Sequence, residues 1–127
     1  MTRVFLIGLA GALGTLSRYG IGLWAERTLG TSFPYSTLIV NVIGCFLIAL
    51  ISQIAISTTL ISPTMRLTLT TGFMGGLTTY SSFNYETTNL LRERSWVTGL
   101  TNIALTLGVC FLAGVLGLMA ARRFVGE

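Results

Sequence analysis

The sequence predicts an all-α membrane protein of four transmembrane helices with the third helix broken, and three observations carry that prediction. The chain is 52% apolar but only 9% charged. Its charges leave four long uncharged runs between them. The middle of the third run is crowded with glycine and hydroxyl residues. An ordinary soluble domain is roughly a quarter charged, so this composition cannot keep a folded surface wet. At 127 residues the chain is one domain, by the usual length of about 100 to 200 residues. Four spans leave almost no chain for a soluble domain, which puts the function in the membrane.

The first span is predicted over residues 4–24: no charge separates Arg3 from Arg18, and apolar character continues to Trp24. As a helix this run covers the ~30 Å hydrocarbon core. Arg3 followed by small residues has the look of a secretory leader, but Met1 is kept and three more apolar runs follow, so it reads as a span. The second span, residues 36–56, is the most apolar part of the uncharged run from Thr28 to Met65, and Phe33, Pro34 and Tyr35 mark the turn before it. The third, residues 67–91, holds three glycines and five hydroxyl residues between Gly72 and Phe83, which invites a break. The fourth, residues 95–121, is long enough to span with tilt and ends on Arg122 and Arg123. Trp24, Tyr35 and Trp96 fall near predicted span ends, where amphipathic rings prefer the headgroup level. Gly8 with Ala12, and Ala113 with Gly117 and Ala121, recur at spacings that let helix backbones approach in lipid.

Charge placement bears on assembly. Four spans put both termini and the Arg66 loop on one side, with Arg3, Arg66, Arg122 and Arg123; Arg18, Arg27, Arg92 and Arg94 belong to the other. Four arginines face four, so the positive-inside rule gives no preferred orientation. Insertion in both directions, and an antiparallel dual-topology homodimer with its axis in the membrane plane, follow as the expectation.

The same residues narrow the function. The net charge of +4 comes from arginines scattered singly or in pairs, not from the basic stripe that nucleic-acid binding needs. Lys, Asp and His are absent, so no acid–base pair for catalysis can be assembled and the expectation is that the chain is not an enzyme. Cys45 and Cys110 lie inside uncharged runs without CxxC spacing or a histidine, and read as small apolar residues. Glu86 is the one acid near membrane depth, just after the hydroxyl cluster, where pairing with an arginine or capping a backbone break is its expected role.

Polar residues at membrane depth must find a partner or face water. Asn41 stands early in the second span; it is either glue between helices, worth ~0.6 to 2 kcal/mol, or a hydrogen-bond donor to a permeating species, since its amide carries two N–H groups. Asn102, Thr106 and Cys110 follow one another at four-residue spacing and share one face of the fourth span, a polar line that suggests a wetted groove, although Thr can also satisfy itself on a carbonyl one turn back. In the third span, irregular backbone offers carbonyls that can coordinate a cation. Phe83 presents a ring whose edge is partly positive and can hold a small anion without the trapping a full charge would cause.

The runs Gly11-Ala12-Leu13-Gly14-Thr15-Leu16-Ser17-Arg18-Tyr19, Asn41-Val42-Ile43-Gly44-Cys45-Phe46 and Gly72-Phe73-Met74-Gly75-Gly76-Leu77-Thr78-Thr79-Tyr80-Ser81-Ser82-Phe83 together resemble the Fluc fluoride channels, the CrcB family, over nearly the whole chain. The resemblance implies a dual-topology homodimer in the bacterial plasma (inner) membrane, with two fluoride pores, a structural sodium ion at its centre, and fluoride resistance as the outcome of passive export. By position it implies Asn41 as the pore amide, Phe83 as the second phenylalanine of an aromatic box, and backbone carbonyls of Gly75 and Thr78 as sodium ligands. Arg18 would lie at a vestibule, and Thr79, Ser81, Asn102 and Thr106 would supply pore hydroxyl or amide groups. Two departures touch the ion path: Tyr80 stands where the family usually has its first box phenylalanine, and Asn102 and Cys110 stand where a tyrosine and a serine are common. The competing readings are a small multidrug-type proton-coupled exporter, which relies on a glutamate in its first span where Val4 to Ala25 has none, and a non-transporting assembly subunit.

Overall fold

Hydroxyl side chains and turn residues set the helix boundaries in the computed structural model, which covers residues 1–127. Helix α1 (Thr2–Leu29) stops at Gly30, whose φ of 86° leaves the helical region. Helix α2 (Tyr35–Ser57) starts directly after Pro34, with the Phe33 and Tyr35 rings 5.0 Å apart at the turn. Ser62 caps the short α3 (Pro63–Leu67) by accepting the Met65 N–H, with Pro63 at the first helical position, where its missing N–H costs nothing. A π-helical stretch, Thr68–Met74, joins α3 to α4 (Gly75–Leu77). Helix α5 (Tyr80–Asn89) then runs into a second π-helical stretch, Leu90–Arg94. Ser95 caps α6 (Trp96–Val125) through the Val97 N–H, and Gly126 closes it in the left-handed region at φ 84°.

Helices α1, α2 and α6 have 28, 23 and 30 residues and are long and apolar enough to cross a membrane. At 1.5 Å per residue each exceeds the ~30 Å of hydrocarbon. Only 18 of 127 residues are buried, while Leu13, Leu16, Phe111 and Leu112 are among the many large apolar side chains that face outward. In water that surface would aggregate; against acyl chains it is at home, so the chain is a multi-pass membrane protein.

Backbone-to-backbone packing holds the helices together. Helix α1 lies on the third segment through glycine: a Cβ on Gly14 would overlap the Phe73 carbonyl oxygen, and one on Gly76 would overlap the Gly11 carbonyl oxygen. Helix α2 packs on α6, where a Cβ on Gly117 would overlap the Phe46 carbonyl oxygen. Ala113 and Ala121 are buried on the same α6 face, as the small-residue spacing predicts. On α1 the expectation shifts by one register: Gly8 and Ala12 are exposed and Gly8 meets nothing within 4 Å, while Gly14 makes the close approach. The reason is rotational: Gly11 and Gly14 present the face that meets the equally small Gly72 and Gly76 across the interface. Val40, Met74 and Leu77 form the apolar core beneath this contact, flanked by Ile21, Leu47 and Phe73.

Candidate functional site

Two residues between α4 and α5 abandon helical geometry. Thr78 has φ −89° and ψ 157°, and Thr79 has φ −152° and ψ 121°. In a continuous helix the Thr79 N–H would bond the Gly75 carbonyl and the Ser82 N–H the Thr78 carbonyl. Both donors are diverted to side chains: the Thr79 N–H to Asn41 Oδ1 at 2.9 Å, and the Ser82 N–H to Thr79 Oγ1 at 3.2 Å. The carbonyls of Gly75 and Thr78 thus lose their helical donors. The Gly76 carbonyl accepts Arg18 Nε at 3.0 Å instead. The Gly75 and Thr78 oxygens are thereby left available, while that of Gly76 is taken.

Asn41 is the side chain that makes the interruption tolerable. Its Oδ1 accepts from Thr79 and its Nδ2 donates to the Thr79 carbonyl at 3.0 Å, so one amide answers both backbone groups of one residue. An amide has two N–H groups; the sequence leaves both free for an ion, and the fold commits one to Thr79 and leaves the other.

A groove of about 910 Å³ opens beside this pair, walled by α2, α4–α5 and α6. Asn41, Gly75, Thr78, Thr79, Tyr80, Phe83 and Thr106 all line it. The Tyr80 and Phe83 rings meet edge to face, 5.8 Å apart and at 86°. Phe83 is 8% exposed and Tyr80 77%, so the phenylalanine is fixed by packing and the tyrosine is presented outward. The groove therefore gathers an amide, hydroxyls, aromatic edges and freed carbonyls, with no ionised side chain in its wall.

A second groove, of about 330 Å³, lies on the other side of Thr79 and is lined by Thr15, Arg18, Thr37, Ser82, Glu26 and Glu86 among others. Thr79 borders both grooves. Thr37 Oγ1 donates to Glu86 Oε1 at 2.8 Å, and the second Glu86 oxygen is buried without a partner. The acid is thus held by a hydroxyl on α2 rather than by an arginine, and the break is capped by Thr79, not by Glu86.

The fold brings Asn41, Thr78, Thr79, Tyr80, Phe83, Gly75 and Thr106 to one groove and Arg18 to its neighbour. It holds two predicted residues apart from that wall. Ser81 is exposed and its hydroxyl lies 3.3 Å from Thr79 Oγ1. Asn102, 2% exposed, donates to Thr87 Oγ1 at 2.8 Å and ties α6 to α5. Thr37 escapes the sequence reading although it stands one turn before Asn41 on the same helix face, which is the signal that could have found it. Gly44 is a second: a Cβ there would overlap the Thr78 methyl group, so its absence lets the extended backbone sit against α2.

The family model described as CrcB-like protein, Camphor Resistance (CrcB), matches residues 5–118. A protein of Sorangium cellulosum named fluoride-specific ion channel FluC is 59% identical over 125 residues, covering 98% of each chain. Proteins of the same name from Geobacter metallireducens and Clostridium perfringens are 46% and 45% identical, covering 97% and 92% of this chain and 99% and 91% of their own. With matches of this length and identity, the chain belongs to the CrcB family.

Proposed function

We propose that this chain is the subunit of a passive, fluoride-selective channel that lets cytoplasmic fluoride leave the cell. The carrying observation is the amide clamp at the interruption: Asn41 spends one N–H on Thr79 and keeps one in the groove that Phe83 also lines. Fluoride holds its water tightly, so a pore must replace those hydrogen bonds group by group. Asn41, Thr79, Thr106 and the Tyr80–Phe83 edges are neutral groups able to do this, whereas a full positive charge would retain the ion. The relatives' names carry the same reading.

In this reading residues 67–91 form one span interrupted at mid-depth, and two copies pair antiparallel across the larger groove, each closing the other's pore. Arg18 attracts anions into the smaller groove, and Thr79, which borders both grooves, is the step between them. Ser81 and Asn102 belong to the outer parts of the polar route. The Gly75 and Thr78 carbonyls fit a sodium ion, because both line the groove and both have lost their helical donors. A sodium ion there would supply a fixed positive charge that draws the two interrupted backbones together; a second copy supplies the remaining oxygens.

No energy source is needed. Hydrogen fluoride crosses membranes as a neutral acid and ionises in a more alkaline cytoplasm, trapping the anion. An inside-negative potential favours its exit by ~2.3 kcal/mol per charge per 100 mV. Purified protein in liposomes is expected to discharge a fluoride gradient, read with a fluoride electrode, while leaving chloride and lipophilic-cation gradients standing. Movement of the cation would support the multidrug-exporter reading, and no movement of any of the three would support an assembly subunit.

A further inference from the structure

Asn41 and Gly44 stand three residues apart on one face of α2 and meet consecutive residues of the interruption. Asn41 holds the backbone of Thr79, while Gly44 is buried against Thr78. A Cβ on Gly44 would overlap the Thr78 Cγ2 methyl and stand 3.5 Å from the Thr78 Cβ, and no other residue packed against it comes within 4 Å. Gly14, Gly76 and Gly117 differ: there an added Cβ would overlap backbone oxygens, which no exchange of side chains can remove. At Gly44 the obstacle is one methyl group. Thr78 has no freedom to withdraw it. The Thr78 hydroxyl donates to the Met74 carbonyl at 2.8 Å and the Thr78 N–H to the same carbonyl at 3.0 Å, and a β-branched side chain has few χ1 positions. With the hydroxyl turned to Met74, the methyl is turned to Gly44. The next peptide unit joins the Thr78 carbonyl to the Thr79 N–H and is planar and trans. Its N–H is bonded to Asn41 Oδ1 at 2.9 Å, so its carbonyl points the opposite way. Asn41 thus sets the direction of the Thr78 oxygen, and the seated methyl sets how closely Thr78 stands against α2.

We propose that Gly44 and Thr78 form a positioning pair for the ion route: the glycine is a socket for the Thr78 methyl, and the seated methyl fixes where the Thr78 carbonyl stands in the larger groove. The pair need touch no ion itself. It rests on the reading of that carbonyl as a cation ligand in a fluoride channel. A methyl added at Gly44 moves Thr78 off α2 and carries the carbonyl with it. Removing the Thr78 methyl at the same time leaves only the Cβ contact at 3.5 Å, which is ordinary packing. Glycine with threonine can therefore be exchanged for alanine with serine, whereas alanine beside threonine does not fit.

The test compares the original full-length chain with Gly44→Ala, Thr78→Ser and the double variant Gly44→Ala/Thr78→Ser. Fluoride efflux is read per reconstituted protein. In detergent, the reading is the sodium concentration that gives half of the sodium-dependent rise in melting temperature. Crowding this contact in Gly44→Ala is expected to cut efflux by about tenfold or more and to raise the sodium midpoint by a similar factor. The double variant is expected to recover both to within about threefold of the original chain. A Gly44→Ala protein with unchanged efflux and midpoint, and only its melting temperature lowered, reduces the pair to packing and overturns the proposal. A double variant as impaired as Gly44→Ala, or more so, overturns it too, since independent effects would add. Should Gly44→Ala give no folded protein, the double variant decides: folded and conducting, it supports the pairing; unfolded, it overturns it. An original chain without efflux counts against the channel reading, and one without sodium-dependent stabilisation counts against the sodium ligand. In either case the remaining readout decides the pair, and absence of both overturns the positioning role.

Discussion

At the scale of single residues, the side chains at the interruption divide into those that hold the backbone and those that face the groove, and Asn41 does both. Aspartate at this position would still accept the Thr79 N–H, but it has no N–H for the Thr79 carbonyl or for an anion, and it brings a negative charge. A lost hydrogen bond to a charged partner costs about 1.5–3 kcal/mol, about ten- to a hundredfold in rate. Asn41→Asp is therefore expected to remove measurable fluoride efflux from liposomes while the protein still elutes as a folded species. Phe83→Ile removes the ring that packs against Tyr80 and is expected to do the same; undiminished flux in both variants would defeat the assignment of these residues to the ion path.

At the scale of elements, the backbone donors at the interruption between α4 and α5 have side-chain partners, while the Gly75 and Thr78 carbonyls stay without helical donors. The Thr79 hydroxyl caps α5 by taking the Ser82 N–H, Asn41 takes both backbone groups of Thr79, and Arg18 takes the Gly76 carbonyl. Removing a hydroxyl N-cap costs about 1 kcal/mol. Thr79→Val, which keeps shape and loses the hydroxyl, is expected to lower the melting temperature of the detergent-solubilised protein, and Thr79→Ser to leave it close to that of the original chain. An unchanged melting temperature for the valine variant would mean that the cap is not what secures the start of α5. The glycine contacts between α1 and the interrupted segment act beside these caps, since Gly14 and Gly76 let two backbones touch where a Cβ would not fit.

At the scale of the whole molecule, the large groove is open on one side and lined by groups whose chemistry is incomplete in a single chain: an exposed Tyr80, an amide with one N–H to spare, and two carbonyls without helical donors. A second copy in the opposite orientation would complete it, and the even split of arginines between the two sides permits that insertion. Reporters active only in the cytoplasm or only outside it, fused in turn to the C-terminus, are expected to give signal in both compartments. Signal confined to the cytoplasmic reporter would remove the antiparallel pairing and require another way to cover the groove.

How much of this was legible in the sequence differs with the range of the interaction. Long apolar helices and the crowding of glycine and hydroxyl residues in the third run are local properties, fixed by composition and spacing, because lipid rejects charge and unpaired backbone wherever they fall along the chain. Asn41 and Phe83 drew notice for the same reason: each is conspicuous in its own run. Which groups meet is another matter. Nothing local says that Asn41 clamps Thr79, that Thr37 rather than an arginine holds Glu86, or that Asn102 turns to Thr87. Those pairings depend on the rotation and register of one helix against another, which glycine-to-backbone contacts such as Gly14 on Phe73 and Gly117 on Phe46 decide. The sequence alone determined a segment rich in glycine and hydroxyl residues among long apolar helices; only tertiary packing decided which polar groups face each other, because close approach of backbones is a property of two surfaces and not of either one.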